Sequence, residues 1–167
     1  MSEKEIAELF YEPLGRIAIK YARLDDNLAM TIFTLCNPDP MSQQSPQVVS
    51  IGGSMDQSTW RLIISCTTIN QRNEMMRRVA KSRFPDKEEA VEDLYKQIEK
   101  AIKKRNDLMH HGWYNKGQMG FNRNGVFKTE ERTTEELNEF GDMLTNLSQR
   151  VMDLHGDLLE IFPKAKN

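Results

Sequence analysis

One run limits the folds open to this chain more than any other. From Leu137 onward, Phe140, Leu144, Leu147, Val151, Leu154, Leu158 and Ile161 recur at alternating spacings of three and four. Successive helical side chains are set about 100° apart, so these residues share one face of an α-helix. Thr133 and Glu136 open the run with a capping-box pattern, each side chain placed to satisfy the other's backbone N–H. Phe162-Pro163 ends it, because proline cannot continue the ladder. A helix of this length with a single apolar stripe is stable only against partner helices.

Three further segments supply the partners. The first spans about Leu14 to Cys36, on Leu14, Ile17, Tyr21, Leu24, Leu28 and Leu35, with a short helical lead at Ser2 to Phe10. Asp25, Asp26 and Asn27 interrupt that stripe and read as a solvated face. Asn37-Pro38-Asp39-Pro40 stops the helix, and 37–54 reads as an ordered loop with Ser54 as the next N-cap. The second helix is expected from Met55 to Arg83, with Leu62, Ile63, Cys66, Ile69, Met76 and Val79 inward. Its later half carries Arg72, Arg77, Arg78, Lys81 and Arg83, either a solvated face or a phosphate-binding strip. The third runs from an Asp86 cap to about His111, with Gly112 as C-terminal cap. Beyond it the period changes. Asn115-Lys116-Gly117 and Asn124-Gly125 are turn signals, and a small β-hairpin over 113–132 is expected, pairing Met119–Phe121 with Val126–Lys128. The expected fold is all-α, a single domain over 1–167. It is a four-helix up-and-down bundle with that hairpin between the third and fourth long helices.

Composition narrows the function classes. A formal charge of −2 argues against a general nucleic-acid coat, which leaves only a local basic patch. Cys36 and Cys66 lack metal-ligand spacing and fall on predicted apolar faces, so buried reduced thiols are expected. No stretch approaches the roughly 20 apolar residues of a membrane span, and Ser2 to Glu8 does not resemble a signal peptide. A soluble cytoplasmic protein is expected.

The chemistry concentrates at Ala101 to Tyr114. Val91, Leu94, Ile98, Ala101 and Leu108 mark the apolar stripe of the third helix, and the member missing between the last two is Arg105. A guanidinium there occupies a core-facing position, where an unpaired charge costs several kcal/mol. His110 and His111 follow just before Gly112. Asn106 lies four residues before His110, on the same helix side, and can orient its ring. Geometry leaves the choice between His110 and His111 open, since they diverge from Arg105 by about 140° and 120° in opposite senses. His111 also has Asp107 four residues before it. Asp107, His110 and His111 match no metal-ligand pattern, and no phosphate-cradling glycine loop is visible, so neither metal nor cofactor is expected. His155, beside the stripe of the last helix, reads as a structural histidine.

Arg105-Asn106-Asp107-Leu108-Met109-His110 resembles the signature of the HEPN superfamily, an Arg, often followed by Asn, with four to six residues before a His. The resemblance covers about a dozen residues and favours His110. It implies metal-independent RNA cleavage by 2′-hydroxyl attack, in a toxin or defence-related setting. Arg105 would stabilise the phosphoryl charge, His110 would move the proton, and Asn106 would orient it, with His111 and Asp107 as alternates or support. Arg77, Arg78, Lys104 and Trp113 are the expected substrate contacts. The resemblance also implies a homodimer through the motif helix and a protein partner such as an antitoxin. The competing expectation is a non-catalytic helical module that binds a protein or nucleotide through the same cleft.

Overall fold

The computed structural model describes residues 3–36, 57–110, 112–114, 118–123 and 126–161. In chain order these form α1 (Glu3–Ile6), a π-helical turn (Ala7–Tyr11), α2 (Glu12–Cys36), α3 (Gln57–Cys66), α4 (Ile69–Arg83), a 3₁₀ turn (Pro85–Lys87) and α5 (Glu88–His110). Strands β1 (Gly112–Tyr114), β2 (Gln118–Arg123) and β3 (Val126–Glu131) precede α6 (Thr134–Ile161).

The expected architecture needs correction in three respects, although a helical bundle remains. First, the segment expected as one second helix is two, so five helices of ten residues or more stand among the described residues. The break falls at Thr67-Thr68. Thr68 and Gln71 form a capping box, the Gln71 N–H donating to the Thr68 hydroxyl at 3.4 Å and the Thr68 N–H to Gln71 Oε1 at 2.7 Å. Two adjacent β-branched hydroxyl residues favour a cap over a helix interior, and they win against the continuing apolar period.

Second, the order is not up-and-down, which would set the first and last helices antiparallel. Contacts between α2 and α6 advance together: Lys20 with Asp142 at 3.2 Å, Asn27 with Ser148 at 2.8 Å, Thr31 with Val151 at 3.4 Å and Thr34 with His155 at 2.8 Å. These helices are therefore parallel. Contacts of α5 run the opposite way against both neighbours, Arg77 with Glu92 and Lys81 with Glu88 on α4, and Asp93 with Arg150 and Lys87 with Asp157 on α6. Thus α2, α4 and α6 point one way and α5 the other.

Third, residues between α5 and α6 are not an isolated two-stranded hairpin. They pair as a three-stranded antiparallel sheet in the order β1-β2-β3, with Trp113 opposite Met119 and Phe121 opposite Lys128. Gly112, expected as a helix cap, begins β1. The expected loop 37–54, with its Ser54 cap, and the turns at 115–117 and 124–125 lie outside the described residues.

The core follows the stripes. Ile17, Leu24, Leu28, Ile32 and Leu35 of α2 meet Met76 and Ala80 of α4, Val91 to Leu108 of α5 and Leu137 to Leu154 of α6. The α6 capping box is present, with the Glu136 N–H on the Thr133 hydroxyl at 3.2 Å and the Thr133 N–H on Glu136 at 3.3 Å. Asp86 does not cap α5 and lies within the 3₁₀ turn that leads into it. Cys36 is half-buried as packing requires, whereas Cys66 is exposed at the end of α3, so the expected burial of both thiols fails at Cys66. Asp25 and Asn27 are likewise not a solvated face. Asn27 bonds Ser148 on α6, and Asp25 is bound by Arg72 of α4 at 2.6 Å.

Candidate functional site around Arg105

Helix α5 carries the motif to its last residue, His110, so Arg105 stands a little over one turn before the C-terminus. Its neighbours on the stripe, Ala101 and Leu108, are buried, and Arg105 is half-buried among them. The guanidinium lies 4.9 Å from the centre of the Tyr21 ring on α2. Its Nη1 donates to Asn106 Oδ1 at 3.2 Å. Its Nε is buried and donates to no acceptor, and no carboxylate pairs with Arg105 among the described residues. Part of its hydrogen-bonding capacity is therefore uncommitted. A cation held over an aromatic face keeps its charge while being fixed in direction.

Tyr21 completes the inner wall. Burial raises its phenol above the usual range, Arg105 opposes that shift and Asp25 adds to it. The phenol thus stays neutral throughout the physiological range, with its ring against the guanidinium. Sequence reading placed Tyr21 on a core stripe and missed it as a site residue. The available signal was a tyrosine on a leucine stripe, since a buried phenol seeks a polar partner.

The outer surface carries charges of both signs, with Glu99 and Asp107 beside Lys100 and Lys103. Asn106 and Asp107 line an open groove of about 440 Å³ with Asn70 of α4 and with Lys100 and Lys103 of α5. A second groove of about 230 Å³ continues past Lys103, Lys104 and Asp107 to Arg132. Lys104 also sets its ammonium 4.9 Å from the Phe140 ring centre. Asn106, Asp107 and Lys104 therefore lie along these grooves with Lys100 and Lys103, while Arg105 lines neither and is tied to them through Asn106. Neither Lys100 nor Lys103 was among the expected substrate contacts.

Arg77 and Arg78 are elsewhere. Arg77 lies 4.6 Å from the Tyr95 ring centre, and ten residues of α5, about 15 Å along its axis, separate Tyr95 from Arg105. Both are engaged: Arg77 donates to Glu74 at 2.9 and 3.0 Å and to Glu92 at 3.3 Å, and Arg78 to Glu74 at 2.6 Å. The two guanidinium groups hold the Glu74 carboxyl down at about 2. Lys81 joins the same network through Glu88 and Glu92. Trp113 lies in β1, immediately beyond the motif helix, and His111 lies outside the described residues. His155 accepts a structural role, with Nε2 2.8 Å from the Thr34 hydroxyl and burial lowering its pKa.

No group of three or more metal-binding side chains is gathered among the described residues. Among them no helix is long and apolar enough to cross a membrane. Comparisons with protein-family models, with curated proteins and with solved structures found no match to this chain.

Proposed function

We propose that this chain is a metal-independent endoribonuclease of the HEPN type. The observation that carries the reading is the incompletely satisfied guanidinium of Arg105, held on the core stripe of α5 beside a lysine-lined groove. In the proposed reaction the ribose 2′-hydroxyl attacks the adjacent phosphorus while His110 takes its proton. The bond to the 5′-oxygen breaks, that oxygen is protonated, and the products are a 2′,3′-cyclic phosphate and a 5′-hydroxyl end. Arg105 stabilises the charge that grows on the phosphoryl oxygens, a role suited to a permanent planar cation. Asn106 faces Arg105 through its Oδ1, so it positions the guanidinium as well as serving the histidine. Lys100, Lys103 and Lys104 supply backbone attraction that is local and sensitive to salt. The same reading places two motif helices face to face in a homodimer, restrained by a protein partner of the antitoxin kind in a toxin or defence setting.

A second reading is a non-catalytic helical module that binds a protein or nucleotide partner through the same cleft. The ion-paired state of Arg77, Arg78 and Lys81 favours it, because the most basic stretch of the chain is neutralised within the fold.

The test is cleavage of a mixed RNA pool in EDTA by the wild type and by His110→Ala. Cleavage that survives the chelator, leaves cyclic-phosphate ends and falls at least about 100-fold in the variant supports the nuclease. Cleavage unchanged in His110→Ala removes the histidine from the mechanism. RNA or nucleotide binding with no cleavage by the wild type selects the module.

A further inference from the structure

Helix α2 buries one side against α4, α5 and α6, yet its opposite side is not simply polar. Ile19 is 65% exposed and Met30 49% exposed, among the largest apolar exposures in the described residues. Arg23 and Asp26 are exposed between them, and neither pairs with another described residue. At 100° per residue these four fall within an arc of about 60°. Exposed Gly15, Ala18 and Ala22 run along its flank, and a Cβ added at Gly15 would meet nothing within 4 Å. Neighbouring side chains therefore leave the helix backbone open at that point.

The spacing reads the same in both directions: apolar, then four residues to the cation, three to the anion, four to the second apolar residue. Two antiparallel copies related by a two-fold axis between residues 24 and 25 would bring Ile19 against the partner's Met30 and Arg23 against the partner's Asp26. Both contacts would then form twice. A two-fold interface requires such self-complementarity, whereas an unrelated partner does not. Each charge is placed to be neutralised by its opposite from the second copy.

We infer that the outer face of α2 is a homodimer surface whose occupant is the antiparallel α2 of a second copy. This face is turned about 200° from Tyr21 around the helix. It is therefore separate from the Arg105 cleft and from any pairing of motif helices. The footprint from Ile19 to Met30 is about 17 Å long and about 10 Å wide, well below the roughly 800 Å² per partner of a stable complex. The dimer is accordingly weak and depends on concentration.

Sedimentation equilibrium of the full chain from micromolar to several hundred micromolar tests this, with Arg23→Glu, Asp26→Arg and the double variant. All substitutions lie on an exposed face, and circular dichroism verifies the fold of each. The expected result is a wild-type mass that climbs with concentration toward twice its micromolar value, no such climb for either single reversal, and the climb restored in the double variant. A wild-type mass that stays constant across the range overturns the inference. Dimerisation unaffected by the single reversals overturns it too, by placing the contact elsewhere. Failure of the double variant to recover overturns the Arg23–Asp26 pairing.

Discussion

Two arginines press against α2 about one turn apart, and their surroundings are opposites. Arg72 reaches Asp25 at 2.6 Å, the Ile64 carbonyl at 2.7 Å, the Thr67 carbonyl at 2.9 Å and the Thr67 hydroxyl at 3.2 Å. It donates to carbonyls at the end of α3 and ties that end to α2, so its donors are occupied by the fold. Arg105 reaches an aromatic ring and one amide oxygen, and keeps a buried Nε without an acceptor. A guanidinium that holds a structure together has its donors filled. Arg105 is oriented and left incomplete, as the proposed reading requires. Both arginines lie among basic residues in the sequence, and only their partners separate them.

The sharpest way to break this comparison is to remove each side chain in turn. Arg72→Ala leaves Asp25 without its cation and reopens the α3 terminus, so about 3 kcal/mol of stability should be lost in urea denaturation. Arg105→Ala gives up a cation–π contact and some packing, so only about 1 kcal/mol should be lost. RNA cleavage should nonetheless fall by about 100-fold or more in Arg105→Ala. Equal stability losses would erase the distinction between the two arginines.

A smaller effect comes from the seam between α2 and α6, where His155 meets Thr34. Burial lowers the folded pKa of His155 from its ordinary value of 6.5. As pH falls through 6.5 the unfolded chain takes up the proton first. The contribution is thus complete above that pH and declines below it. His155→Gln should flatten the stability profile between about pH 6.5 and 5, measured as the difference from wild type. Identical slopes would mean that this imidazole is not held neutral by the fold. The smallest expected effect is that of Tyr21→Phe, which keeps the ring under Arg105. It should cost less than about 0.5 kcal/mol and leave cleavage in place, since the ring face supports the cation. A large loss would assign the hydroxyl a part in the site.

Much of the bundle was legible in the sequence because burial repeats. Ile17, Leu24, Leu28 and Leu35 of α2, Val91 to Ala101 and Leu108 of α5, and Leu137 to Leu154 of α6 are buried where the three-four spacing put them, and the Thr133 capping box closes as its local pattern implies. The candidate site was legible only along α5, where Arg105 through Asp107 sit on consecutive positions. Tyr21, Asn70, Lys100 and Lys103 were not, because they are brought in from other helices or lie on a surface that periodicity cannot rank. The basic stretch of α4 could be read as a solvated face or a binding strip and is neither, since no local rule places Glu92 and Glu88 of α5 opposite Arg77 and Lys81.

Some properties were determined by the sequence by itself. Helix-period hydrophobicity demands a bundle, proline and capping residues punctuate it, and an arginine interrupts an apolar stripe beside two histidines. These are effects of neighbours a few residues apart, which the chain states locally. The tertiary structure alone decided that α2 and α6 run parallel, that the second helix breaks at Thr67-Thr68, and that Arg72 is filled where Arg105 is not. Each of those outcomes depends on hydrogen bonds and charges between residues distant in the chain, whose strength is set by burial and by the partner that packing delivers.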